Sequence, residues 1–158
     1  MDLDEFRKSA EGQLKTHKQT AKKLKKMKRL DDQFHSLHVE VFSEIDCLTC
    51  ANCCKTTSPI FQEADIERIA KSLRMKTAEF IDEYLHLDSE HDYVLNVAPC
   101  PFLGHDNKCI IYDDRPRACR EYPHTDRKRM HQILNLTVKN TQVCPAVNEI
   151  MKRIGDSL

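Results

Sequence analysis

Four cysteines fall within eight residues, Cys47, Cys50, Cys53 and Cys54, and this CxxCxxCC run holds the side chains best suited to chemistry in the chain. Four more, Cys100, Cys109, Cys119 and Cys144, follow at wide spacing. Thiolates at such density are soft ligands, and their expected use is to hold zinc or iron, with a 4Fe-4S cluster as one form of the iron. All eight are candidate metal ligands. Thiolate-rich sites suit either metal, so spacing does not choose between them.

The run cannot serve one ion as a continuous helix. Cys47 and Cys54 would share a face, but seven residues at about 1.5 Å rise set them roughly 10 Å apart. Sulfurs bound to one ion stand only about 4 Å apart, given bonds of about 2.3 Å. The run must therefore curl as a loop or serve more than one site. Adjacent side chains diverge, so the expected partition gives Cys47, Cys50 and Cys53 a fourth ligand from downstream and leaves Cys54 to another group or the core. CxxCxxC with a remote Cys144-Pro145 has the spacing of bacterial ferredoxin ligands. Eight thiolates could equally hold two tetrahedral ions.

Around Cys119 the segment Ile111–Pro123 gathers three arginines and two tyrosines. Arg115, Arg120, Tyr112 and Tyr122 are expected to support the centre, since cations and hydrogen-bond donors offset the charge of a metal–thiolate group. His35, His38, His105 and His124 are read as surface or core histidines rather than ligands.

The elements that must position these residues are mainly helical. Between Gln13 and about Ile45 there is neither Pro nor Gly, and Leu14, Ala21, Leu24, Leu30, Phe34, Leu37 and Val41 form an apolar stripe, which predicts one long amphipathic helix or two abutting ones. After a turn at Thr56–Pro59, helices are predicted from Gln62 to about Leu73 and from Ala78 to Leu87, the latter capped by Thr77. Tyr93–Val97 is predicted to pair as a strand with Cys109–Tyr112. A short helix should include Cys119, and a last one should run from Pro145 to near Gly155. The expected fold is a small, mainly α domain with a short β-hairpin and irregular cysteine-rich loops organised around a metal site, plus an N-terminal amphipathic helix. Residues 1–40 form the basic helical arm, and 41–158 the cysteine-cluster domain.

Composition fits that picture. Only 40% of the 158 residues are hydrophobic and none is Trp, so the core is thin and a metal would supply stability that packing does not. The start lacks an apolar secretory segment, and no stretch approaches a membrane span, which makes the cytoplasm the expected location, where disulfides are uncommon. Net charge is zero, but residues 1–30 carry ten Lys/Arg against four Asp/Glu. Lys15 to Arg29 holds eight basic residues and no acid. That run has no interleaved aromatic and no recognisable binding module, which disfavours nucleic acid and leaves a protein partner through the N-terminal helix as the alternative to a solvated face.

The ordered set Cys47-Leu48-Thr49-Cys50-Ala51-Asn52-Cys53-Cys54, the Asp65-Ile66 helix, Phe80, Cys100-Pro101-Phe102-Leu103, Cys109-Ile110-Ile111-Tyr112, Arg115-Pro116 and Cys119-Arg120-Glu121-Tyr122-Pro123 resembles the CxxCxxCC zinc- or iron-chelating family, the YkgJ-like cysteine-cluster proteins. Many of its members are bacterial. The resemblance implies a metal-binding protein of structural, chelating or interaction role. It extends to the cysteine-rich part of flagellin lysine N-methylases, which implies, as the alternative, iron-sulfur chemistry in methyl or electron transfer. The chain speaks against a self-sufficient enzyme of that kind. Its three glycines, Gly12, Gly104 and Gly155, form no nucleotide-binding loop, and Thr57 stands where the radical-SAM spacing CxxxCxxC begun by Cys50 and Cys54 needs its last cysteine.

Overall fold

A computed structural model describes residues 2–158. Its elements are α1 (Leu3–Leu24), α2 (Leu30–Glu44), α3 (Cys47–Cys50), α4 (Asn52–Thr56), α5 (Glu63–Ser72), α6 (Thr77–Tyr84), β1 (Leu85–Leu87), β2 (Tyr93–Leu95), a 3-10 turn at Tyr112–Asp114, α7 (Arg117–Glu121), a second 3-10 turn at Met130–Gln132, α8 (Leu134–Asn140) and α9 (Pro145–Asp156). The fold is mainly helical with one two-stranded antiparallel hairpin, as expected. Among the described residues no helix is long and apolar enough to cross a membrane. The chain forms two compact units, one built from the sequence through Cys50 together with Pro123–Leu158, the other from Ala51–Tyr122.

In the first unit α1 starts where Asp2 caps it, its carboxylate accepting from the N–H groups of Asp4 (2.9 Å) and Glu5 (3.2 Å). The absence of Gly and Pro left the α1–α2 break open, and the structure makes it between Lys25 and Arg29, with Arg29 left-handed at φ 57°. Leu24 and Leu30, six residues apart, would sit about 120° apart on one continuous helix. The bend lets both be buried. The apolar sides of α1 and α2 pack on α9, and α1 also meets α8, around Phe34, Val41, Leu134, Val147, Ile150 and Ile154. Arg153 on α9 ties the layer to α2 through Glu44 (2.7 Å) and Glu40, and along its own helix to Glu149 (2.8 Å).

In the second unit the core is Phe61, Ile66, Ile69, Ala70, Phe80, Leu85, Leu95, Phe102 and Ile111. Phe80 is its centre, with ring centroids of Tyr84, Phe102 and Phe61 at 5.2, 6.1 and 6.2 Å. α5 lies within the predicted bounds; α6 ends three residues early, and Thr77 is its first helical residue rather than its cap. Leu85 turns extended there, and β1 takes the place predicted for Cys109–Tyr112 as partner of β2, in the register Leu85↔Leu95, His86↔Val94, Leu87↔Tyr93. The local partner wins because Asp88 closes the connection, its carboxylate accepting from the N–H groups of Glu90 (2.8 Å) and Asp92 (3.0 Å). Cys109 makes a single bridge to Leu103 instead, and Tyr112 enters a 3-10 turn.

Candidate metal centre

The CxxCxxCC run is neither one helix nor an open loop. It is two helical turns, α3 and α4, broken at Ala51, which is left-handed at φ 47°. The break falls at the boundary between the units, so Cys47 and Cys50 belong to the first and Cys53 and Cys54 to the second. All eight cysteines are thiols rather than disulfides.

In the second unit Cys54, left over by the spacing argument, joins the downstream cysteines. The Cys54 carbonyl accepts from the Cys100 N–H (2.8 Å), which ties α4 to the strand-exit segment. Cys100 and Cys109 both pack against the apolar core, held by a loop in which the Ile110 N–H reaches the Phe102 carbonyl (2.9 Å) and the Gly104 N–H that of Lys108 (2.8 Å). Gly104 suits the close approach there: a β-carbon would come within 2.7 Å of the Asp106 carboxylate, which would have to move, and 3.2 Å of the Lys108 carbonyl. Cys119 sits in the first turn of α7, its N–H bonded to the Pro116 carbonyl (3.0 Å).

These four thiols lie within one another's electrostatic reach. Burial, and then the charges that Cys54, Cys100 and Cys109 would carry, push the Cys119 thiol up to about 12 against the pull of Arg115. Burial chiefly, opposed by the Phe102 N–H, and then Cys54 and Cys109 push Cys100 up to about 11. Cys109 is raised by burial and Cys54, with the Ile111 N–H and Arg115 opposing. Cys54 moves the other way: a hydrogen bond from Cys53, outweighing burial and helped by Arg115 and Lys55, lowers it to about 7.

In the first unit, Cys144 precedes α9, with the N–H groups of Val147 and Ala146 turned toward its sulfur. Burial, opposed by those N–H groups, and then Cys47 and Cys50 push it up to about 11. Cys47, Cys50 and Cys144 are thus a second thiol set, combining the start of the run with the remote Cys-Pro. Among the described residues no three His, Cys, Asp or Glu side chains are already gathered as a formed coordination shell.

Of the residues expected to support the centre, Arg115 acts on Cys54, Cys109 and Cys119. Its guanidinium carbon lies 3.5 Å over the Tyr112 ring, and its Nε donates to the Tyr112 carbonyl (2.7 Å). Arg120 is exposed and Tyr122 half-buried. His35 bonds Asp126 (2.6 Å) and His38 bonds Thr125 (2.9 Å), so both are engaged away from the thiols.

Asp65, part of the family-like pattern, and Arg68 are positioning residues that the spacing of the thiols did not single out. The Asp65 side chain is 3% exposed and accepts from Arg68 Nη2 (2.8 Å) and from the N–H groups of Gln62 (3.1 Å) and Arg117 (3.1 Å). Arg68 Nη2 also donates to the Arg115 carbonyl (2.9 Å). This pair clamps the segment that presents Arg115 and opens the helix of Cys119. Its signal was present in Gln62-x-x-Asp65, the spacing of a capping box at the start of α5.

A family model described as "CxxCxxCC: Putative zinc- or iron-chelating domain" matches residues 46–145. No curated protein and no solved structure matches the chain.

Proposed function

Since the chain belongs to the CxxCxxCC zinc- or iron-chelating domain family, we propose that it is a metal-binding protein whose principal centre is formed by Cys54, Cys100, Cys109 and Cys119. The observation that carries this reading is the mutual influence of these four thiols on one another beside a single arginine. Three of them, the half-buried Cys100, Cys109 and Cys119, resist ionisation, because each new thiolate would sit beside another in a poorly solvating surrounding. A bound cation reverses that cost and makes the group a strong ligand set. Zinc or iron would bind there, supplying a fixed positive charge and a cross-link between α4, the Cys100–Cys109 loop and α7. Arg115 offsets the excess negative charge of four thiolates, the task expected of it. The partially lowered thiol of Cys54 is the natural first ligand. Cys47, Cys50 and Cys144 are the second donor set.

Four thiolates fill a tetrahedral shell and leave no open position for substrate, which is the arrangement of structural rather than catalytic metal sites. The role that follows is structural or chelating. The same ligands would suit a 4Fe-4S cluster acting in electron or methyl transfer. Anaerobic purification followed by metal analysis and a visible spectrum tests the proposal. Stoichiometric zinc in a colourless protein, or a brown protein absorbing at roughly 400 nm, supports it and names the metal. A fully folded, metal-free protein with eight reactive thiols overturns it.

A further inference from the structure

The basic run of α1 has a second half that only the tertiary structure supplies. Lys15, Lys18 and Lys22 are exposed, lie three and four residues apart on α1, and make no ion pair among the described residues. The opposite side of α1, with Ala10, His17, Ala21 and Leu24 buried, packs on α8 and α9 in its own unit. The apolar face that a protein partner would use is therefore covered, and the lysines are what the helix presents to solvent. Beyond Leu24 the bend continues the charge with Lys25, Lys26, Lys28 and Arg29, all exposed.

Into this bend comes the loop Arg127-Lys128-Arg129, about a hundred residues later in sequence and exposed throughout. Asp31 at the start of α2 holds it there: its carboxylate accepts from the N–H groups of Arg129 (2.6 Å) and Met130 (2.8 Å). A cleft of about 400 Å³, lined by Lys25, Arg29 and His131 along with Met27, Leu30, Asp31 and Asp32, marks the junction. The acids at the junction itself are engaged. Both oxygens of Asp31 serve the loop, Asp32 pairs with Arg29 (2.8 Å), and Asp126 pairs with His35.

We propose that this composite surface of α1 and the Arg127–Arg129 loop binds the phosphate backbone of a double-stranded nucleic acid. A duplex carries about one charge per 1.7 Å of axis, and a straight rod of lysines spanning about 10 Å from Lys15 to Lys22 matches such a regularly charged rod. Arginines on a flanking loop suit phosphate, which their planar donors grip in pairs. None of the chain's exposed large hydrophobic residues falls within Lys15–Arg29 or Asp126–Gln132. The surface thus has nothing to insert into a bilayer, no exposed Phe, Tyr or Trp to stack on unpaired bases, and no exposed apolar centre of the kind protein interfaces need. The missing aromatics and binding module, which disfavoured nucleic acid at the level of sequence, are not required for backbone contact.

The test is fluorescence anisotropy of labelled 20-base-pair RNA and DNA duplexes with the full, metal-loaded chain. Binding of either duplex is expected at 50 mM salt, with affinity falling by about 10³-fold by 200 mM. Two triple variants, Lys15→Gln/Lys18→Gln/Lys22→Gln and Arg127→Gln/Lys128→Gln/Arg129→Gln, should each weaken binding at least about tenfold and lower the salt slope by about 2–3. Unchanged circular dichroism and metal content check that each variant is folded. The proposal is overturned by absent binding at 50 mM salt, by wild-type affinity in either variant, or by tighter binding to phosphatidylserine vesicles or polyglutamate than to the duplexes.

Discussion

Cys119→Ser is expected to lose the metal of the Cys54/Cys100/Cys109/Cys119 centre and, with it, the stability of Ala51–Tyr122. Thiolate-bound zinc contributes apparent binding free energy on the order of 10 kcal/mol in small domains, so one ligand of four accounts for roughly 3 kcal/mol, or about a hundredfold in affinity. Cys119 is chosen because its thiol is pushed furthest upward, by burial first and then by its neighbours, and because α7 brings it from the far end of the unit. Removing it should therefore release α7 as well as the ion. Metal analysis of the anaerobically purified variant should show one centre fewer per chain, and hydrogen exchange should rise across Ala51–Tyr122. The set formed by Cys47, Cys50 and Cys144 should keep its own ion, which separates the two sets experimentally. Unchanged metal content would remove Cys119 from the ligand set.

Asp65→Ala is expected to cost about 3 kcal/mol and lower the melting temperature by roughly 6–12 °C, as removing one partner of a buried charge pair does. The variant leaves the Arg117 N–H and one bond of Arg68 without their acceptor, and so frees the segment that carries Arg115. Burial pushes the Asp65 carboxyl up, but Arg68 and the N–H groups of Gln62 and Arg117 outweigh it and hold the group below its ordinary 3.8. Its folded value being the lower one, the stability it supplies is complete well above pH 3.8 and is lost as pH falls through the folded value. Thermal melts of wild type and variant between pH 7 and pH 3 should therefore converge toward the acid end. A variant melting within 2 °C of wild type at pH 7 would refute the clamp.

The helices were legible wherever an apolar stripe had to be buried. α5 and α9 fall within about a residue of their predicted ends because capping signals and Pro145 mark them locally. The hairpin was legible as a feature but not in its pairing, because Leu85–Leu87 continues the apolar pattern of α6 and nothing in that pattern says where the backbone turns extended. α8, which covers α1, was missed altogether: seven residues are too few for periodicity to register.

The chemistry of the chain could be read from residue type and spacing, since thiol density and the limits of metal–sulfur geometry are local facts. They excluded one continuous helix and required the CxxCxxCC run to curl as a loop or to serve more than one site; the structure excludes the single helix by a left-handed turn at Ala51, with a short helix on either side rather than a loop. Which cysteines stand together is another matter. The company of Cys54 with Cys100, Cys109 and Cys119, of Cys144 with Cys47 and Cys50, and of the Arg127–Arg129 loop with Asp31 at the start of α2 depends on contacts between residues dozens of positions apart. A single chain carries no signal for such pairings, because they are set by which faces bury together and which backbone groups then find partners. The thiols and cations were written in the sequence, and the packing of α1, α2 and α9 and of the Phe80 core sorted them into groups.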